Sequence, residues 1–135
     1  MIGMDTNVLV RYFAQDDKEQ SYLATKLIDS LSKEAPGFIS VVTVVELTWV
    51  MRSVYHAPKE KIIEIIGKLL RINVFVLENS EVLAKALRQY TETTADFADC
   101  VIARSSLHYG CKKVVTLDKK AAATAGMVLL GEDAF

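Results

Sequence analysis

Five short apolar runs alternate with stretches of helical spacing along this chain, and that alternation constrains the fold more than any other feature. The runs lie at the extreme N-terminus up to Met4, then at 38–41, 73–77, 112–117 and 127–130. Helices are predicted from Val8 to Phe13, from Asp17 to about Glu34, from Val44 to Tyr55, from Pro58 onward, from Ser80 to Tyr90, from Phe97 to Tyr109 and from Asp118 to Ala125. Strands interleaved with helices predict a parallel sheet with both faces covered. The expectation is therefore an α/β fold over residues 1–135, one domain with a central, mainly parallel five-stranded sheet flanked by helices on both faces. Right-handed crossovers leave the strand carboxyl ends on one edge, where open α/β sheets bind their ligands.

Local signals set the element boundaries. Ala35-Pro36-Gly37 is a chain breaker, and Gly110 is placed to end the sixth helix in a left-handed conformation. Tyr22, Leu23, Leu27, Ile28 and Leu31 predict the buried face of the second helix. The β-branched run from Val41 favours a strand by propensity. Its length, and the Thr-x-x-Glu spacing of Thr43 and Glu46, favour a buried helix instead.

Bulk properties exclude several classes. A chain of 135 residues can bury about two-thirds of its unfolded surface. The apolar share of 51% is high for that size and suggests a partner interface. The longest nearly uncharged stretch, 35–51, contains Glu46 and falls short of the roughly 20 apolar residues of a membrane span. No basic, apolar leader opens the sequence, and Cys100 and Cys111 have no zinc or redox spacing, so a reduced, cytoplasmic protein is expected. A net charge of −1 does not describe a simple electrostatic nucleic-acid binder.

The acids carry the functional signal. Asp5 follows the first apolar run, Glu46 lies early in the helix after the second, and Asp118 directly follows Val114-Val115-Thr116-Leu117. Asp96 and Asp99, three apart at the start of the Phe97 helix, share a face. Each has a local role open to it. Asp5, Thr6 and Asn7 are all good N-caps, Glu46 can answer Thr43 in a capping box, and Asp96 can cap its helix. Asp99 suits a first turn, and Asp118 suits a turn. Local roles alone would have to bring all these acids to one sheet edge by coincidence. Carboxylates gathered in a cleft cannot all stay ionised unaided. A hard divalent cation such as Mg²⁺, held by a few carboxylates and water, provides the aid.

Asp5-Thr6-Asn7-Val8-Leu9, Glu46, Asp96-Phe97-Ala98-Asp99 and Thr116-Leu117-Asp118 together resemble the PIN-domain ribonucleases, most of all the VapC toxins of toxin–antitoxin pairs. The resemblance runs through nearly the whole chain, and its N-terminal block is the most specific part. It implies that Asp5, Glu46, Asp99 and Asp118 are catalytic and bind Mg²⁺ or Mn²⁺. It also implies supporting roles for Thr6 and Asn7 beside the first aspartate, with Asp96 and Thr116 outside the direct ligands. The chemistry implied is metal-assisted hydrolysis of RNA, whether tRNA, rRNA or mRNA. Arg11, Lys119 and Lys120 lie near the expected site edge in sequence and are candidate RNA contacts. A VapB-like antitoxin and a homodimer are implied as partners, with Trp49, Tyr12, Phe13 and Tyr22 available either for grooves or interfaces or, equally, for core packing. The alternative is a catalytically inactive PIN-like interaction module. A phosphatase of the haloacid dehalogenase type would carry a second aspartate where Asn7 stands, and a receiver domain would carry an acid pair.

Overall fold

The computed structural model describes residues 1–131. The chain forms two compact units, Met1–Ser80 and a second beginning at Glu81.

In the first unit the order is β1 (Ile2–Gly3), α1 (Thr6–Ala14), α2 (Lys18–Asp29), β2 (Gly37–Ile39), α3 (Val41–Ser53), α4 (Lys59–Arg71) and β3 (Phe75–Leu77). The three strands form a parallel sheet in the order β1-β2-β3, with Ile2 opposite Gly37 and Gly37 opposite Phe75. Being parallel, they send their carboxyl ends to one edge, so Asp5, Ser40 and Glu78 follow the strands on the same side.

The core of this unit is aliphatic. Leu9, Ile39, Val44, Leu47, Ile62, Ile65, Ile66 and Leu69 are fully or almost fully buried. Helix α4 shows why its sequence is helical: Ile62, Ile65, Ile66 and Leu69 fall on one face, and Pro58 precedes the first turn, where its missing N–H costs nothing. Gly37 allows the closest approach in the sheet. A Cβ there would stand 2.7 Å from Met4 Cε and 2.8 Å from Leu31 Cδ1. What reads as a chain breaker in sequence is thus the first residue of a strand.

Two helices differ from expectation. Helix α2 stops at Asp29 and buries Ser21, Ala24 and Ile28, while Tyr22 and Leu23 stand in solvent. The small residues form the seam with α1, and Ser21 Oγ donates to the Arg11 carbonyl at 3.0 Å. Helix α3 begins at Val41 and is capped by Ser40, whose hydroxyl accepts from the Thr43 N–H at 3.1 Å. Glu46 therefore lies in the second turn and does not answer a Thr43 cap.

The second unit contains most of α5 (Ser80–Glu92), then α6 (Phe97–His108), β4 (Val115–Thr116), α7 (Lys119–Thr124) and β5 (Val128–Leu129). Tyr90 meets Phe97 edge to face, with ring centres 5.7 Å apart. Gly110, at φ +93°, ends α6 in the left-handed conformation that its sequence position predicts. Strands β4 and β5 are parallel and pair only with each other. The expected five-stranded sheet is therefore, among the described residues, a three-stranded and a two-stranded sheet. Strand length is the physical reason: β1, β4 and β5 have two residues each, giving ladders of very few bonds. Lys112 and Lys113, expected within the fourth strand, are exposed cations outside it. No helix among the described residues is long and apolar enough to cross a membrane.

Candidate active site

In the first unit two acids converge through a single threonine. Strand β1 ends where Asp5 takes the N-cap position of α1, its Oδ1 accepting from the Thr6 N–H at 2.8 Å. The positive end of α1 favours the carboxylate there. The Thr6 side chain is buried, and its hydroxyl donates to Glu46 Oε1 at 3.2 Å. Thr6 thus serves Asp5 through its backbone and Glu46 through its side chain. Both carboxylates are themselves exposed. Asn7 is exposed and lines an open groove of about 510 Å³ between α1 and α2, along with Val8, Arg11, Gln20, Leu23, Ala24 and Leu27.

Sequence reasoning missed Glu78, at the carboxyl end of β3. Its Oε1 accepts from the Val41 N–H at 2.9 Å, which secures the start of α3 and hence the position of Glu46. An acid directly after a third parallel strand is the signal that could have found it.

Arg11 has a different neighbourhood from the one its place in the sequence suggests. Its Nη1 pairs with Asp16 Oδ1 at 3.0 Å and donates to the Tyr55 hydroxyl at 3.2 Å, while its Nε donates to Gln20 at 2.8 Å. Tyr55 in turn donates to Asp16 Oδ2 at 2.7 Å. The Tyr55 hydroxyl, and after it the Arg11 guanidinium, hold the Asp16 carboxyl below the usual carboxylate range. The group ties α1 and the α1–α2 turn to the segment just after α3.

In the second unit, Asp96 occupies the N-cap position of α6 without capping through its side chain, and Asp99 lies in the first turn. Asp118 caps α7, with Oδ1 accepting from the N–H groups of Lys120 at 2.8 Å and Ala121 at 3.2 Å. Its own N–H donates to Thr116 Oγ1 at 3.0 Å, so Thr116 anchors the turn that presents Asp118. Burial pushes the Asp99 carboxyl above its ordinary value, and the charges of Asp96 and Asp118 push it further, against a smaller opposing pull from Lys120. Lys120 Nζ pairs with Asp96 Oδ1 at 3.3 Å. Lys119 is exposed at the start of α7.

The donor set fits a hard cation. All the candidate ligands are carboxylate oxygens, and burial first, then the charges of Asp96 and Asp118, oppose ionisation of Asp99. Among the described residues, no three His, Cys, Asp or Glu side chains are grouped closely enough to enclose an ion. His56 and His108 lie at a left-handed turn and at the end of α6, respectively, outside these acid groups.

Two comparisons relate the chain to known proteins. The chain is similar to a protein named VapC ribonuclease from Aquifex aeolicus (strain VF5), with 20% identity over 117 residues covering 87% of each chain. The family model described as PIN domain matches residues 2–127, from β1 to the threshold of β5 and across all the acids described above. The chain belongs to the PIN domain family.

Proposed function

We propose that this chain is a metal-dependent endoribonuclease, the toxin of a VapBC-type pair, which hydrolyses RNA phosphodiester bonds and is neutralised by a VapB-like antitoxin. The observation that carries the reading is the PIN domain match, which spans residues 2–127 and with them Asp5, Glu46, Asp99 and Asp118. The VapC ribonuclease name of the Aquifex aeolicus relative points the same way.

In this reading Asp5 and Asp99 are the primary ligands of Mg²⁺ or Mn²⁺. When bound, such an ion lowers the pKa of a water and steadies charge on the leaving oxygen. Glu46, its Oε1 fixed by Thr6, orients the attacking water and receives its proton. Asp118, held by the first N–H groups of α7, supplies a further carboxylate, directly or through water. Lys119, exposed on α7, is available to RNA phosphates. A cytoplasmic homodimer accompanies this reading, and Trp49 and Val42, both exposed on α3, offer apolar surface for a partner.

The test is cleavage of total RNA by purified protein with Mg²⁺ or Mn²⁺, with chelator, and with Asp5→Asn and Asp99→Asn. Each substitution alone should abolish metal-dependent cutting. Absence of metal-dependent cutting by the wild type would make the chain an inactive PIN-like interaction module, and equal cutting by the wild type and both variants would refute the roles of Asp5 and Asp99.

A further inference from the structure

Two starts compete for helix α3, and the one in use decides what Glu46 is free to do. In the observed start Ser40 caps the helix, its hydroxyl accepting from the Thr43 N–H at 3.1 Å, and the Val44 N–H donates to the Ser40 carbonyl at 3.1 Å. Glu46 then lies in the second turn and accepts from the Thr6 hydroxyl at 3.2 Å. Thr43-x-x-Glu46 offers a second start three residues on. A Thr43 cap would accept from the Glu46 N–H, and the Glu46 carboxylate would turn back to the Thr43 N–H. Val41, Val42 and Thr43 would then prolong β2, which suits their β-branched side chains.

Glu78 opposes that alternative from outside the helix. It directly follows β3, which runs parallel to β2 with Ile39 opposite Leu77. The last rung of this ladder is the bond from the Glu78 N–H to the Ile39 carbonyl, at 2.9 Å. One rung further, the Val41 N–H would bond the Glu78 carbonyl. The Glu78 side chain takes that donor instead, Oε1 accepting from the Val41 N–H at 2.9 Å. The sheet therefore ends at Ile39, and Val41 is held as the first helical residue.

We propose that Glu78 is a positioning residue that selects the Ser40 start of α3 over the Thr43 start, and so keeps the Glu46 carboxylate on Thr6 and off its own helix. The consequence for catalysis rests on the nuclease reading of Glu46 given above.

Hydrogen exchange and RNA cleavage test it together on the purified full chain, for the wild type, Glu78→Ala, Glu78→Gln, Thr43→Val and Glu78→Ala/Thr43→Val. The Val44 N–H bonds the Ser40 carbonyl only in the observed start, so its exchange reports the choice without any catalysis. Glu78→Ala should speed Val44 exchange by about fivefold, the usual weight of a lost cap. It should also lower kcat for a labelled RNA by about threefold or more, with KM within about twofold. Glu78→Gln keeps the accepting oxygen and should match the wild type. Thr43→Val removes the hydroxyl of the competing cap and keeps the N–H that Ser40 holds. It also removes the Ser40 hydroxyl's bond to Thr43 Oγ1 at 3.0 Å, so Thr43→Val alone is the baseline for the double variant. The double variant should regain the Val44 protection and the kcat of that baseline, which a misfolded chain could not do. Unchanged Val44 exchange in Glu78→Ala overturns the selection, and so does a loss that Thr43→Val fails to restore. Faster exchange with kcat unchanged overturns the positioning of Glu46. If the wild type cuts no RNA, the nuclease reading falls and the exchange measurements alone decide the selection.

Discussion

Thr6→Val separates the positioning of Glu46 from the stability of the fold. The substitution keeps the β-branched shape and removes only the hydroxyl that donates to Glu46 Oε1 at 3.2 Å. That bond is at the long end of the range, and its acceptor is exposed, so water can replace the donor. A net loss of about 1 kcal/mol is expected, partly offset by the new methyl group in a site only 6% exposed. The melting temperature should therefore fall by no more than about 3 °C. Activity should respond far more. Glu46 lies on the second turn of α3 with Thr6 as its donor, and under the proposed function its displacement by about 1 Å should cost on the order of 100-fold. Cleavage of a labelled RNA under saturating Mn²⁺ should show kcat reduced by roughly 10- to 100-fold, with Thr6→Ser recovering most of it. In a Glu46→Ala background, Thr6→Val should have no further effect, because the two residues act as one unit. Activity within twofold of the wild type would refute the positioning argument, as would a loss that merely tracked the unfolded fraction.

Asp99→Asn in metal-free protein should raise the melting temperature at neutral pH. A carboxyl whose folded pKa is raised gives its stability below the unfolded value and loses it as pH rises through the folded one, so the gain should close below about pH 4 and on adding Mn²⁺. Tyr55→Phe acts with the opposite sign. Asp16 is held low first by that hydroxyl, so its contribution is present above the unfolded carboxylate pKa and lost as pH falls through the folded one, and thermal melts of variant and wild type should converge in acid. Gly37→Val should cost about 1–3 kcal/mol in urea titrations, because Met4 and Leu31 must retreat from the added atoms. A saturating divalent ion should raise wild-type stability by about 2.7 kcal/mol at 100 times its Kd, and leave Asp99→Asn unmoved.

The helices were legible because periodicity and caps agree along most of the chain. Pro58, Ser80 and Gly110 mark their boundaries to within a residue or so. The start of α3 was not legible, since Thr43-x-x-Glu46 has the capping-box spacing, whereas Ser40, the residue that caps the helix, has Thr43 and not Glu or Gln three residues on. The choice is made at long range. The Glu78 N–H bonds the Ile39 carbonyl at 2.9 Å and its carboxylate takes the Val41 N–H, so the helix starts one residue after β2. The buried face of α2 was misread for a related reason: Ser21 and Ala24 are small enough for close helix packing, whereas hydrophobicity alone favours Tyr22 and Leu23. The division of the strands into two sheets depends on ladder lengths of two and three residues, which no sequence pattern resolves.

The acids illustrate why capping and ligation are poor rivals as explanations. Asp5 and Asp118 do cap α1 and α7, as the local reading of each allows. In both, Oδ1 alone receives the helix N–H groups, and among the described residues Oδ2 takes no hydrogen bond. A cap of this kind fixes the side-chain rotamer and leaves the second oxygen free of the helix N–H groups. Two residues sit at the same kind of helix start without a side-chain cap bond or with a different partner. Asp96 gives its Oδ1 to Lys120, and Asp99 bears the repulsion of both neighbours. In the second unit, capping holds the Asp118 carboxylate rigid, while Asp99 bears the charge of both Asp96 and Asp118. A sequence reader who must choose between the two roles for Asp5 or Asp118 is choosing between the two oxygens of one side chain.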